Sequence, residues 1–120
     1  MLHAKIHRAT ITDKCVEYQG SITIDADLID AAGIAVHEKV LVANVSTGER
    51  IETYAIEGPR GSGRVALNGA AARLAEAGDL VIVMAFALVD DSEIAGWEPK
   101  VVQVDKANRP MRTAAGKKRK

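Results

Sequence analysis

The stretch Leu80 to Val89 is apolar at nearly every position, and it limits what the rest of the chain can do. It is shorter than a helix needs to cross a bilayer. Flanked by Gly78-Asp79 and Asp90-Asp91, it reads as a strand buried on both faces. Other elements must therefore cover it. Aromatic residues make up only 3% of the 120, so the covering core must be built from Val, Ile, Leu and Ala.

The remaining segments suit that role. Lys5 to Thr12 is a partly alternating first strand, and Val16 to Ile24 a second that contains Gly20-Ser21. From Asp25 to Ala32 the period changes. Leu28, Ile29 and Ala32 take helix-face spacing, with Asp25 or Asp27 as cap and Gly33 as the exit. Val40 to Val45 and Arg50 to Ile56 form a hairpin around Ser46-Thr47-Gly48. Gly58 to Gly63 is a glycine-rich loop, Val65 to Leu67 a short strand, and Gly69 to Glu76 a helix of small residues capped by Asn68. Val101 to Val104 is the last strand. Many short strands and two short helices predict one mainly β domain over residues 1–111, a small β-barrel.

Net charge is formally zero but unevenly placed. Arg112, Lys117, Lys118, Arg119 and Lys120 lie in residues 112–120 without any acid, so the body is mildly acidic. An acidic body does not suit a nucleic-acid surface, and the basic segment reads as a disordered, solvated tail. Cys15 is the single cysteine, which excludes an intrachain disulfide and a cysteine-rich metal site. His3, His7 and His37 lack metal-ligand spacing. No charged-then-apolar signal opens the chain, so a cytoplasmic, non-membrane protein is expected.

Individual motifs admit two readings each. The Gly58–Gly63 loop lacks the Lys-Ser/Thr ending of a phosphate loop and reads as a plain surface loop. Lys5 and His7 share a strand face and suit an anionic substrate, or simply a solvated face. Arg50 and Tyr54 share a face of their strand, with Thr53 opposite. Arg is suited to a carboxylate and Tyr to proton donation. Asn68-Gly69-Ala70-Ala71 is either a helix start open to an oxyanion or an ordinary cap. Gly20-Ser21 is either a turn or a strained peptide bond beside a hydroxyl nucleophile. From these fragments alone, a non-catalytic barrel that binds a partner through its tail stays open.

In order, the fragments resemble one family. Lys5-Ile6-His7-Arg8-Ala9-Thr10, Tyr18-Gln19-Gly20-Ser21, Ile24-Asp25 and Asp30-Ala31-Ala32-Gly33-Ile34 are similar to the front half of bacterial pyruvoyl-dependent aspartate 1-decarboxylases. Gly48-Glu49-Arg50, Thr53-Tyr54-Ala55-Ile56, Arg60-Gly61-Ser62-Gly63, Asn68-Gly69-Ala70-Ala71-Ala72 and Gly78-Asp79 continue the match to about residue 105.

The resemblance implies a double-psi β-barrel with short helices, assembled as a homotetramer with sites between subunits. It implies a carboxy-lyase that converts L-aspartate to β-alanine and CO₂ for pantothenate and coenzyme A synthesis. It implies a proenzyme that cleaves itself between Gly20 and Ser21, giving a β chain of residues 1–20 and an α chain of 21–120. Ser21 then becomes a pyruvoyl group, the self-made cofactor, which forms a Schiff base with substrate. By the same resemblance Thr53 assists processing and contacts substrate, Lys5 and Arg50 bind carboxylates, Tyr54 donates the proton and His7 lines the pocket. Asn68, Gly69, Ala70 and Ala71 position substrate, Tyr18 shapes the cleavage loop, and no metal is needed. Glutamate differs from aspartate by one methylene, too little for these residues to separate.

Overall fold

A computed structural model describes residues 1–17 and 19–111. The expectations for Tyr18 and for the basic tail of residues 112–120 lie outside the described residues. The described chain is mainly β. Its strands are β1 (Leu2–Thr10), β2 (Asp13–Cys15), β3 (Ser21–Asp25), β4 (Lys39–Asn44), β5 (Arg50–Gly58), β6 (Val65–Asn68), β7 (Leu80–Phe86) and β8 (Lys100–Gln103). They form one sheet in the order β2-β6-β3-β5-β4-β7-β1-β8. Edge strands β2 and β8 are not joined, so this small β-barrel is not closed by hydrogen bonds.

The sheet is mixed. The pairs β1–β8, β2–β6 and β3–β5 are parallel, while β3–β6, β4–β5, β4–β7 and β1–β7 are antiparallel. Its concave side holds an aliphatic core that includes Ile6, Ile22, Ile24, Val40, Val42, Leu67, Val81 and Val83. Ile22 and Ile24 have no exposed surface, and each such burial stabilises the fold by roughly 1.5–3 kcal/mol.

Helix α1 (Ala26–Ala32) starts and stops where the residues require. The Asp25 side chain accepts from the Asp27 N–H, and Gly33 takes a left-handed φ of 73° at the exit. Its Leu28, Ile29 and Ala32 face the core. The β4–β5 hairpin turns at Gly48, with the Asn44 carboxamide accepting from the Ser46 and Thr47 N–H groups.

Three expectations need correction. First, the segment from Val16 to Ile24 is not one strand. It divides into β2, which ends at Cys15, a turn at Val16-Glu17, and β3, which begins at Ser21. Second, β7 is not buried on both faces. Val81, Val83 and Ala85 are buried, Leu80, Ile82 and Met84 are half-buried, and Phe86 is exposed. At β7 the core lies on one side of the sheet. Third, the segment after Asn68 is a six-residue 3-10 turn, Gly69–Leu74, rather than a helix running to Glu76. Gly69 has a φ of 71°, outside helical geometry.

Candidate active site

Strand β3 reads Ser-Ile-Thr-Ile-Asp and is buried at all five positions. Alternation sends Ile22 and Ile24 to one face and Ser21, Thr23 and Asp25 to the other. A buried polar face needs a partner for each group, and here each has one. Asn68 Nδ2 donates to Ser21 Oγ at 2.8 Å and to Thr23 Oγ1 at 2.9 Å. The Asp25 carboxylate accepts from the N–H groups of Asp27, Gly61 and Gly63 at 2.8, 3.0 and 2.8 Å. Burial works to raise the Asp25 pKa, but these three donors and the nearby Arg109 charge outweigh it and hold the carboxyl below its ordinary value.

This answers two open readings. Asn68 is not a helix cap, since its side chain makes no capping bond and is directed at Ser21 and Thr23 instead. The Gly58–Gly63 loop is a plain loop rather than a phosphate cradle, and two of its N–H groups are already held by Asp25.

Register brings Tyr54 to the same place. Ile22 pairs with Ala55 in parallel, so Ser21 on β3 and Tyr54 on β5 each stand one residue before that pair. Tyr54 also pairs with Lys39, which places it where β5 exchanges β4 for β3 as its neighbour. It is half-buried and tilts against His37, with ring centroids 6.3 Å apart. Thr53 is half-buried opposite Val40. Gly69 and Ala71 are buried beside Asn68, while Ala70 is exposed.

Gly20 is exposed, and its φ lies outside the left-handed region. The expected backbone strain is therefore not carried by an unusual Gly20 φ. A Cβ added there would meet nothing within 4 Å, so the space beside its α carbon is open. A cleft of about 300 Å³ opens alongside, lined by Cys15, Thr23, Glu57, Gly58, Arg64 and Asn68 among others. Ser21, only 1% exposed, does not line it.

Arg50 is exposed at the start of β5, four residues from Tyr54 or about 13 Å along the strand. Lys5 and His7 are on a strand that does not pair with β3 or β5. They lie on β1, three strand spacings from β5, about 14 Å along the sheet. His7 Nδ1 is buried without a hydrogen-bond partner. Burial, then the charges of Lys5 and Arg8, lower the His7 pKa and favour the neutral ring. Thr23 is the polar neighbour of Ser21 that the motifs did not single out. The signal for it is the alternating Ser-x-Thr-x-Asp of β3.

Among the described residues, no helix is long and apolar enough to cross a membrane, and no cluster of His, Cys, Asp and Glu suits a metal ion. A family model described as Aspartate decarboxylase matches residues 1–111. Curated relatives include the aspartate 1-decarboxylase of Carboxydothermus hydrogenoformans, 56% identical over 91% of this chain and 86% of the relative. That of Neisseria meningitidis is 58% identical over the same shares. That of Dehalococcoides mccartyi is 50% identical over 97% of this chain and 94% of the relative. A model that spans residues 1–111 and relatives at such identity over nearly their whole length place the chain in one family: it belongs to the aspartate decarboxylases.

Proposed function

We propose that this chain is a proenzyme that cleaves itself between Gly20 and Ser21 and then decarboxylates L-aspartate to β-alanine and CO₂. The observation that carries this reading is the buried Ser21 hydroxyl, held at 2.8 Å by Asn68 next to an exposed Gly20.

In maturation the Ser21 Oγ attacks the Gly20 carbonyl carbon, and the peptide nitrogen leaves to give an ester. Elimination releases residues 1–20 with the Gly20 carboxylate. The dehydrated residue 21 takes up water and loses ammonia, which leaves a pyruvoyl group at the head of the second fragment. Thr53, two residues before the Ile22–Ala55 pair, is the hydroxyl assigned to polarise the Gly20 carbonyl.

The donor set suits that group. Asn68 Nδ2 donates to Ser21 Oγ, the atom that leaves with the Gly20 carboxylate, so after elimination this N–H would be free to hold the ketone oxygen that water places on the residue 21 α carbon. A pyruvoyl group supplies a ketone that condenses with an amine and draws electrons as CO₂ departs. Asn68 with Gly69, Ala70 and Ala71 holds it and the substrate backbone. Arg50 and Lys5 hold the substrate carboxylates, and His7 lines the pocket as a neutral ring. The Tyr54 phenol returns a proton to the carbon that lost CO₂.

Lys5 and His7 lie three strands from Tyr54, so the reading includes a homotetramer in which one subunit's β1 completes a neighbour's site. It also includes a cytoplasmic setting and supply of β-alanine to pantothenate and coenzyme A synthesis. The test is intact mass with turnover. The chain should split after Gly20, its larger fragment should carry a hydroxylamine-reactive carbonyl, and aspartate should release CO₂ faster than glutamate does. Ser21→Ala should stay whole and inactive. A Ser21→Ala protein that still releases CO₂ from aspartate would sink the mechanism.

A further inference from the structure

Asn68 reaches Ser21 through an amide that makes a second bond, and that second bond has its own support. Both Nδ2 hydrogens are committed, one to Ser21 Oγ at 2.8 Å and one to Thr23 Oγ1 at 2.9 Å. All three residues are buried, with exposures of 1%, 5% and 2% for Ser21, Thr23 and Asn68, the last two at the wall of the cleft. With Nδ2 shared between the two hydroxyl oxygens, Thr23 helps determine which way the Asn68 amide faces.

Thr23 is itself held in place. A Cβ built on Gly58 would fall 2.9 Å from Thr23 Cγ2. The Thr23 methyl therefore fills the space that glycine leaves on the neighbouring strand. Gly58 has no left-handed φ, so space rather than backbone conformation is what glycine supplies here. A threonine with its methyl docked has its hydroxyl direction set as well, because χ1 moves both groups together.

We propose that Thr23 is a positioning residue for self-cleavage: the bare backbone of Gly58 seats its methyl, its hydroxyl orients the Asn68 amide, and that amide holds Ser21 Oγ toward Gly20. The inference rests on the self-cleavage reading. It adds a route from the cleft wall at Gly58 to the nucleophile, through two residues that take no part in bond making.

The experiment follows cleavage by intact mass in full-length chains, with folding checked by thermal unfolding of the same variants in a Ser21→Ala background. Thr23→Val keeps the shape and removes the hydroxyl. It should slow cleavage by about tenfold or more, the rate equivalent of one lost positioning hydrogen bond. Thr23→Ser keeps the hydroxyl but loses the docked methyl, so it should cleave more slowly than the parent chain and faster than Thr23→Val. Gly58→Ala should be slow, because its methyl turns Thr23 away. Adding Thr23→Ser to Gly58→Ala removes the clashing Cγ2 and should raise cleavage to the Thr23→Ser rate, a rescue specific to the contact between these two residues. A Thr23→Val chain that cleaves at the parent rate, or a Gly58→Ala defect that Thr23→Ser leaves unchanged, overturns this inference alone. A parent chain that never cleaves overturns the self-cleavage reading and this inference with it.

Discussion

Ser21 and Asn68 are directly opposite each other on the antiparallel strands β3 and β6, and the Asn68 side chain bonds back across that pair to the Ser21 hydroxyl. Backbone register and side-chain chemistry thus agree on one spot. The same row continues to β2, where Cys15 pairs with Asn68, and approaches β5 near Tyr54. The row is built at the end of β3 where Gly20 leaves the sheet.

Replacement of Asn68 by Ala should slow self-cleavage about tenfold to a hundredfold, the cost of about 1–3 kcal/mol for a lost bond that leaves a buried hydroxyl unheld. Asn68→Asp should be slow too, because an ionised carboxylate only accepts and would reverse the bonds to Ser21 and Thr23. Mass spectra over time measure the rate. If Asn68→Ala matures like the parent chain, the 2.8 Å contact is irrelevant to cleavage.

Tyr54 should separate turnover from processing. Tyr54→Phe keeps the ring against His37 and removes the acidic proton. Cleavage should proceed normally, while CO₂ release falls by about 10²–10⁴, the usual worth of a positioned acid. The check is turnover per cleaved chain, which removes any effect on maturation. Unchanged turnover would take Tyr54 out of the proton-donor role.

Much of this arrangement was legible in the residues. Asp25 and Gly33 marked the ends of α1 because capping is local chemistry within one turn. The β4–β5 hairpin was legible for the same reason. What failed was whatever depends on the other side of a strand. The unbroken apolar run of β7 reads as doubly buried, yet only tertiary packing decides whether Leu80, Ile82 and Met84 meet a second layer. Asn68 looked like a cap because its neighbours are small, while its true partners are 47 and 45 residues away in the chain. Thr23 went unnoticed because a threonine in a strand is ordinary. Its meaning comes from the missing Cβ at Gly58, 35 positions on.

Asp25 should leave a mark on acid stability. Its carboxyl is held below its ordinary value of 3.8, so in acid the folded chain binds fewer protons there than the unfolded chain. The stabilisation is complete above about pH 3.8 and is lost as the pH falls through the folded value. Asp25→Asn should destabilise the chain at neutral pH by about 2–4 kcal/mol, since the charge-assisted bonds to Gly61 and Gly63 weaken together. The difference between parent and variant, read from denaturant unfolding at several pH values, should shrink in acid. A difference that stays constant from neutral pH to below pH 3.8 would mean that the Asp25 charge plays no part.

The separation of Lys5 from Tyr54 gives the assembly a direct test. Within one chain they lie on strands β1 and β5 with β4 and β7 between them. If a neighbour supplies β1, a chain lacking Lys5 and a chain lacking Tyr54 should repair each other when they assemble together. Co-expressed Lys5→Ala and Tyr54→Phe chains should then turn over aspartate faster than either variant alone, because some interfaces pair an intact Lys5 with an intact Tyr54. Both variants keep Gly20, Ser21 and Asn68, so both should mature. Turnover of the purified mixed assembly, compared with each variant assembled separately, decides the matter. Activity no higher than the better single variant would return the whole site to one subunit and require β1 and β5 to approach each other within a chain.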